Sequence, residues 1–171
     1  MRIAMKLQHI HIITISLAML LIAGCTTPFT AEQRESVLPV IFEVLQPNVS
    51  EYEGQTVMFG GEIIETTNRE NETEIVILQK PTDSRGWPLN EDESAGRFIF
   101  IAPRYLDPQV YSQGRKITVI GTVIGAEQRM IGELEYDYPV LEEVDHYLWK
   151  PYETGPKVHI GFGVGFRFPN E

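Results

Sequence analysis

Cys25 is the single thiol of this chain, and the chemistry open to a lone thiol is nucleophilic attack or covalent modification. The other reactive types gather late in the sequence. His146 stands beside Glu142, Glu143 and Asp145, while His159 stands alone. A metal would need three or four ligands converging on one point, and neither histidine has a second at ligand spacing. The expected state of 142–146 is a solvated strand end. The acid pairs Glu62/Glu65 and Glu91/Glu93 would serve glycoside hydrolysis only if held about 5–10 Å apart across a cleft. No serine sits in a Gly-X-Ser-X-Gly elbow, and no Gly-rich turn leads into a helix as a phosphate cradle requires. The residues therefore predict no catalytic group, no metal and no cofactor: the chain does not read as an enzyme. Tyr136, Tyr138, Tyr147, Trp149 and Tyr152 form the one suggestive cluster. Aromatic faces stack on sugars and dock partners, and they also fill small cores. A ligand or partner surface and a packing role both stay open.

The elements that would position these residues begin with a leader. Arg2 and Lys6 precede an apolar run from Ile10 to Ile22 and the small residues Ala23-Gly24. A charged start, an apolar centre and a small-residue cut make a secretory signal peptide over 1–24. The run falls short of the ~20 apolar residues that span a bilayer. Ile22-Ala23-Gly24-Cys25 resembles the lipobox of bacterial lipoproteins. That resemblance implies a diacylglyceryl thioether on Cys25, cleavage before it, and N-acylation of the new terminus, palmitate being the expected chain. Multiple acyl chains anchor a protein stably, so the membrane is the first expected partner. Thr26 takes the place of the Asp that would retain a lipoprotein in the inner membrane, which implies the outer membrane, facing the periplasm. With its one thiol acylated, the chain forms no internal disulfide.

The chain carries 14 Lys and Arg against 24 Asp and Glu, a net charge of −10, and the leader takes two of the cations with it. This balance argues against nucleic acid, whose phosphates need basic neutralisation. It also argues against a polybasic membrane-binding face. Two Asn-X-Ser/Thr triplets, at Asn48 and Asn71, read as chance matches in a bacterial lipoprotein.

Residues 25–30 read as a lipidated tether and 31–150 as one domain, large enough for a core of its own. From Ala31 to Gln46, Val37, Val40, Ile41, Val44 and Leu45 recur at near-helical spacing, with Thr30 as cap and Pro39 as a break. One short helix or two half-turns follow. Strands are expected over Gln55–Thr66, Thr73–Gln79, Arg97–Ile101 and Lys116–Gly125, with a turn at Ala126–Arg129. A fifth strand begins at Met130–Leu134 and a sixth spans Tyr138–Tyr147. Gly60-Gly61 inside the first predicts a bulge or bend. Pro81–Ala95 is a long loop, functional or mobile. Gly54–Gly61 and Gly114–Gly121 echo each other, as the coiled first and fourth strands of small OB-type barrels do, where a glycine lets one strand serve two sheet faces. The expected fold is mainly all-β: a small OB-like barrel of five to six strands with a short N-terminal helix.

The segment 151–171 differs. Apolar or aromatic residues take every second position from Val158 to Phe168, and Gly161, Gly163 and Gly165 lie between them. A strand with one bare face suggests self-association or a partner contact through 158–168, or a plain tail.

The order of Phe59-Gly60-Gly61, Gly96-Arg97-Phe98, Leu106-Asp107-Pro108, Gly114-Arg115 and Thr118-Val119-Ile120-Gly121 carries a resemblance. Gly125, Ile131-Gly132, Tyr138-Pro139 and Tyr147-Leu148-Trp149 continue it. Together with the lipobox these resemble the Slp family of outer-membrane lipoproteins, from Cys25 to about Trp149. The resemblance implies location and fold more than activity. It implies a non-catalytic, periplasm-facing domain that supports envelope integrity or adaptation to stress and stationary phase. The alternative is a binding module for an envelope glycan or protein partner.

Overall fold

The structure, a computed structural model, describes residues 27–151. Cys25, Tyr152, the leader and the alternating segment 158–168 lie outside the described residues.

Two short helices open the domain. Helix α1 (Ala31–Glu35) starts at Thr30 in a full capping box: Thr30 accepts from the Gln33 backbone, and the Gln33 side chain accepts from the Thr30 backbone. None of its residues is buried. Pro39 separates it from α2 (Phe42–Leu45), which runs into a 3-10 turn (Gln46–Glu51). This break resets the apolar face predicted for 37–45. Ile41 and Val44 point to solvent, while Phe42, Leu45 and Val49 face inward. Phe42 packs edge-on against Phe59 at 5.2 Å and lies 5.8 Å from Phe98, so α2 plugs one end of the barrel.

Five strands close that barrel: β1 (Thr56–Asn68), β2 (Thr73–Lys80), β3 (Arg97–Ala102), β4 (Lys116–Ile131) and β5 (Leu134–Leu148). The order around the barrel is β1-β2-β3-β5-β4, with β4 returning to β1. All neighbours are antiparallel except β3 and β5. This is OB-like connectivity, and full closure leaves no open sheet edge. Period-two alternation turns Val57, Phe59 and Ile63, Ile75 and Ile77, Phe98 and Phe100, and Ile117, Val119 and Val123 inward, where Leu141 joins them.

The echo between Gly54–Gly61 and Gly114–Gly121 is realised as direct pairing, since Val57 opposes Gly121 and Gly61 opposes Ile117. The bulge predicted at Gly60-Gly61 lies further on, where the register slips between Ile63 and Glu65. The glycine is needed for close approach instead. A Cβ on Gly61 would overlap the Leu78 carbonyl oxygen and stand 2.5 Å from Ile77 Cγ2. One on Gly121 would stand 2.9 Å from Leu141 Cβ.

The turn expected at Ala126–Arg129 is absent. β4 runs through it to Ile131, and the chain reverses at Gly132-Glu133, with Ile131 paired to Leu134. Gly132, at φ 63°, supplies the positive φ that a two-residue hairpin turn demands. The fifth stretch read from sequence, Met130–Leu134, is therefore the tip of the hairpin, with Met130 and Ile131 ending β4 and Leu134 beginning β5, and the sixth lies within β5. The register slips between Val123 and Gly125, where the polar run Ala126–Arg129 begins. Bulges bend and twist a strand without ending it. The hairpin that results reaches past the barrel and folds over the outer face of β2 and β3. There Tyr138 joins Val76 and Ile99 in a second apolar cluster.

Candidate functional site

The long loop Pro81–Ala95 is built rather than slack. Asp83 Oδ1 accepts the backbone N–H groups of Arg85 and Trp87, each at 2.9 Å, and Thr82 bridges to Pro88. This Asx-type turn presents Trp87 to the far end of β5. Trp87 meets Trp149 edge-on at 4.8 Å, and Trp149 meets Tyr147 at 4.6 Å. Trp149 Nε1 donates to Thr118 Oγ1 at 2.9 Å, and that hydroxyl donates to the Gly86 carbonyl at 2.5 Å. Loop and barrel are thus tied through one buried threonine.

Cations gather beside this aromatic row. Lys116 Nζ lies 5.4 Å over the Trp87 ring and donates to the Pro88 carbonyl. Burial pushes its amine below the ordinary value, with Glu62 opposing and Lys80 adding to the shift. Arg115 donates to the carbonyls of Trp149 (2.8 Å) and Val110 (2.9 Å), while its buried Nε has no partner among the described residues. With Lys150 and Asn90 these groups line a cleft of about 250 Å³ whose one carboxylate is Glu62. An indole face with three cations suits an anionic or amphipathic surface. It offers no nucleophile with an adjacent base.

Of the five aromatics singled out by sequence, the structure brings Tyr147 and Trp149 together here and places Tyr136 and Tyr138 at the opposite end of β5. Tyr136 and Tyr138 pack edge-on at 4.9 Å. The Tyr136 hydroxyl accepts the Arg97 backbone N–H at 2.9 Å, and burial raises its pKa. Arg129 lies 5.9 Å over the Tyr138 ring and donates to the buried Glu74 at 2.6 Å; Arg69 donates to the same carboxylate at 2.5 Å. These two cations, the Arg129 bond foremost, hold the Glu74 carboxyl below its ordinary range.

Glu143, Asp145 and His146 also find partners, against the expectation of a solvated strand end, while Glu142 is exposed as expected. His146 Nδ1 lies 2.6 Å from Glu143 Oε1, and its Nε2 lies 2.8 Å from the Tyr111 hydroxyl. Arg104 grips Glu143 with both terminal nitrogens, one at 2.7 Å. Only 6–7% of the Glu143 and His146 side chains is exposed. Asp145 turns away to accept from Gln33 at 2.5 Å. No group of three or more His, Cys, Asp or Glu side chains among the described residues is placed to hold a metal. This cluster pins the β3–β4 connection to β5, with both imidazole nitrogens engaged.

Trp87 and its cations were the part that spacing could not find. Trp87 is 62 residues from Trp149, and no periodicity links a loop tip to a strand end. The only local signal was the turn chemistry of Asp83, Gly86 and Pro88.

Comparison with known proteins places this architecture. A Haemophilus influenzae protein is 30% identical over 129 residues, spanning 75% of this chain and 70% of its own. The Escherichia coli lipoprotein YeaY is 29% identical over 133 residues, spanning 76% of this chain and 67% of its own. The Escherichia coli outer membrane protein Slp is 31% identical over 87 residues, 51% of this chain and 46% of that protein. Two solved structures, a small single-stranded DNA-binding protein from Streptomyces coelicolor and Schizosaccharomyces pombe Pot1pC with single-stranded DNA, each reach a TM-score of 0.33 at 11% identity. They cover 56% and 60% of this chain and 93% and 84% of their own, a likeness too slight to bear on function. The family model of the outer membrane lipoprotein Slp family matches residues 22–163, and the chain belongs to that family.

Proposed function

We propose that the protein is a non-catalytic envelope module, anchored through a lipid on Cys25 to the periplasmic face of the outer membrane. There it supports envelope integrity under stress or in stationary phase. One observation carries the non-catalytic reading: the ionisable groups best suited to chemistry are locked in one another's grasp. Glu143 sits between Arg104 and His146, both nitrogens of His146 are engaged, and Glu74 sits between Arg69 and Arg129. A general base must be within reach of a substrate proton, and these groups already have short-range partners.

The test is complementation of a deletion strain, scored by survival in stationary phase with detergent present. Wild-type protein and His146→Gln, checked for folding and outer-membrane fractionation, should both restore survival. Cys25→Ser should remain an uncleaved or mislocalised precursor and fail. Failure of folded, correctly placed His146→Gln would revive a catalytic role, and normal processing of Cys25→Ser would remove the anchor.

A further inference from the structure

We infer that the Trp87–Trp149–Tyr147 row and its cations are a membrane-docking face, seated on the anionic phospholipid headgroups of the leaflet that holds the anchor. The inference rests on the lipid at Cys25 proposed above.

Reach is the first argument. Phe29 is 4% exposed, and its ring lies 3.8 Å from where a Cβ on Gly86 would stand. Gly86 adjoins Trp87 and accepts from the Thr118 hydroxyl that also holds Trp149. The chain is therefore already fixed to the edge of the aromatic row at Phe29. Three residues lie between it and Cys25, and the four chain steps span at most about 14 Å. Thr27 Oγ1 also turns back to the Phe29 carbonyl at 2.7 Å. A domain held that closely cannot stand clear of the bilayer, and the surface around Phe29 is the one brought to it. Further on, Thr30 caps α1 and Gln33 ties it to Asp145, so the root of the chain is braced against the barrel.

Chemistry is the second argument. Trp and Tyr favour the depth of the headgroups, where an apolar ring and a polar edge are both satisfied. Tyr147 is 38% exposed and both indoles are partly exposed. Arg115, Lys116 and Lys150 stand beside them, with Glu62 the one carboxylate in the cleft. On a chain with net charge −10, that local excess of cations is complementary to anionic lipid.

Trp87 and Trp149 are the only tryptophans in the chain, so emission excited selectively from tryptophan reports on this face alone. The test uses the full acylated protein in vesicles of phosphatidylethanolamine and phosphatidylglycerol, with and without lipid brominated near the headgroup. Flotation of the vesicles scores anchoring separately. Docking requires that the protein floats and that brominated lipid lowers the tryptophan emission about twofold or more. Lys150→Glu should still float while shifting the docked equilibrium at least about fivefold toward the undocked state. Floating protein with unquenched tryptophans would overturn the docking and leave the anchor intact. Protein that fails to float overturns both. Emission that responds to soluble peptidoglycan fragments and not to brominated lipid would assign the face to glycan instead.

Discussion

Strand β5 carries an aromatic pair near each end, and the two pairs have opposite fates. Tyr136 and Tyr138 are folded onto the β2–β3 face, with Tyr138 4% exposed, the Tyr136 hydroxyl bonded to Arg97 and Arg129 lying over the Tyr138 ring. Tyr147 and Trp149 face outward and collect Trp87 from a distant loop. The residue types are nearly the same. What differs is what the chain brings opposite them. The long β4–β5 hairpin folds its own tyrosines onto Val76 and Ile99. At the other end the outward pair meets the 81–95 loop, through Trp87 and the Gly86–Thr118–Trp149 bonds. An aromatic pair is core where the fold supplies an apolar wall, and surface where it does not.

Four changes would break or sharpen that contrast. The largest effect belongs to the barrel that holds both ends. Gly61→Val drives a branched side chain into the Leu78 carbonyl and should cost about 4 kcal/mol or more, abolishing a cooperative melt. A normal melting curve would mean that the close β1–β2 approach is not needed. Next, Tyr138→Ala opens a cavity at the closed end and should lose about 3 kcal/mol in urea denaturation. A loss below about 1 kcal/mol would put Tyr138 in the same class as the exposed pair.

Acid should come third and act on the buried ion pairs. Glu74 is held below its ordinary value of 4.5, the Arg129 bond leading. At Glu143 burial works the other way, but the bonds from His146 and Arg104 outweigh it, so its folded pKa is also lowered. A folded pKa below the unfolded one gives stability that is complete above the unfolded value and lost as pH falls through the folded one. Thermal stability should therefore hold from neutrality to about pH 5 and drop below about 4.5, with Glu74→Gln flattening part of the drop. A flat profile to pH 3 would show that these pairs contribute nothing. The smallest effect is expected at the open end. Tyr147→Ala should change the melt by less than about 1 kcal/mol, because the residue is 38% exposed and its loss leaves no enclosed cavity. A large loss there would mean that the row is structural.

Much of the barrel was legible because its signals are local. Period-two alternation marked β1 to β3 and the start of β4, and the paired Gly54 and Gly114 segments marked two strands that do lie side by side. Thr30 capped the helix it was expected to cap. The misplaced turn at 126–129 had a physical cause. Polar residues leaving a bulged strand look like a turn, and only the ladder from Ala126–Pro139 to Ile131–Leu134 shows the strand continuing. Phe42 escaped notice for a similar reason, since the break at Pro39 changes which face of a later helix points inward.

Some properties belong to the sequence by itself. A leader of the kind proposed for the charged start, apolar run and Ile22-Ala23-Gly24-Cys25 string is read on an unfolded chain, so no tertiary contact is needed to specify it. The same holds for the acidic balance and the strand periodicity. The candidate surface is another matter. A net charge of −10 spoke against any basic membrane face, yet the fold gathers Arg115, Lys116 and Lys150 around Trp87. It also returns Phe29 to the neighbouring Gly86. Tertiary structure alone decided this, because closing a barrel sets side by side residues that lie scores of positions apart, and composition averages over what geometry concentrates.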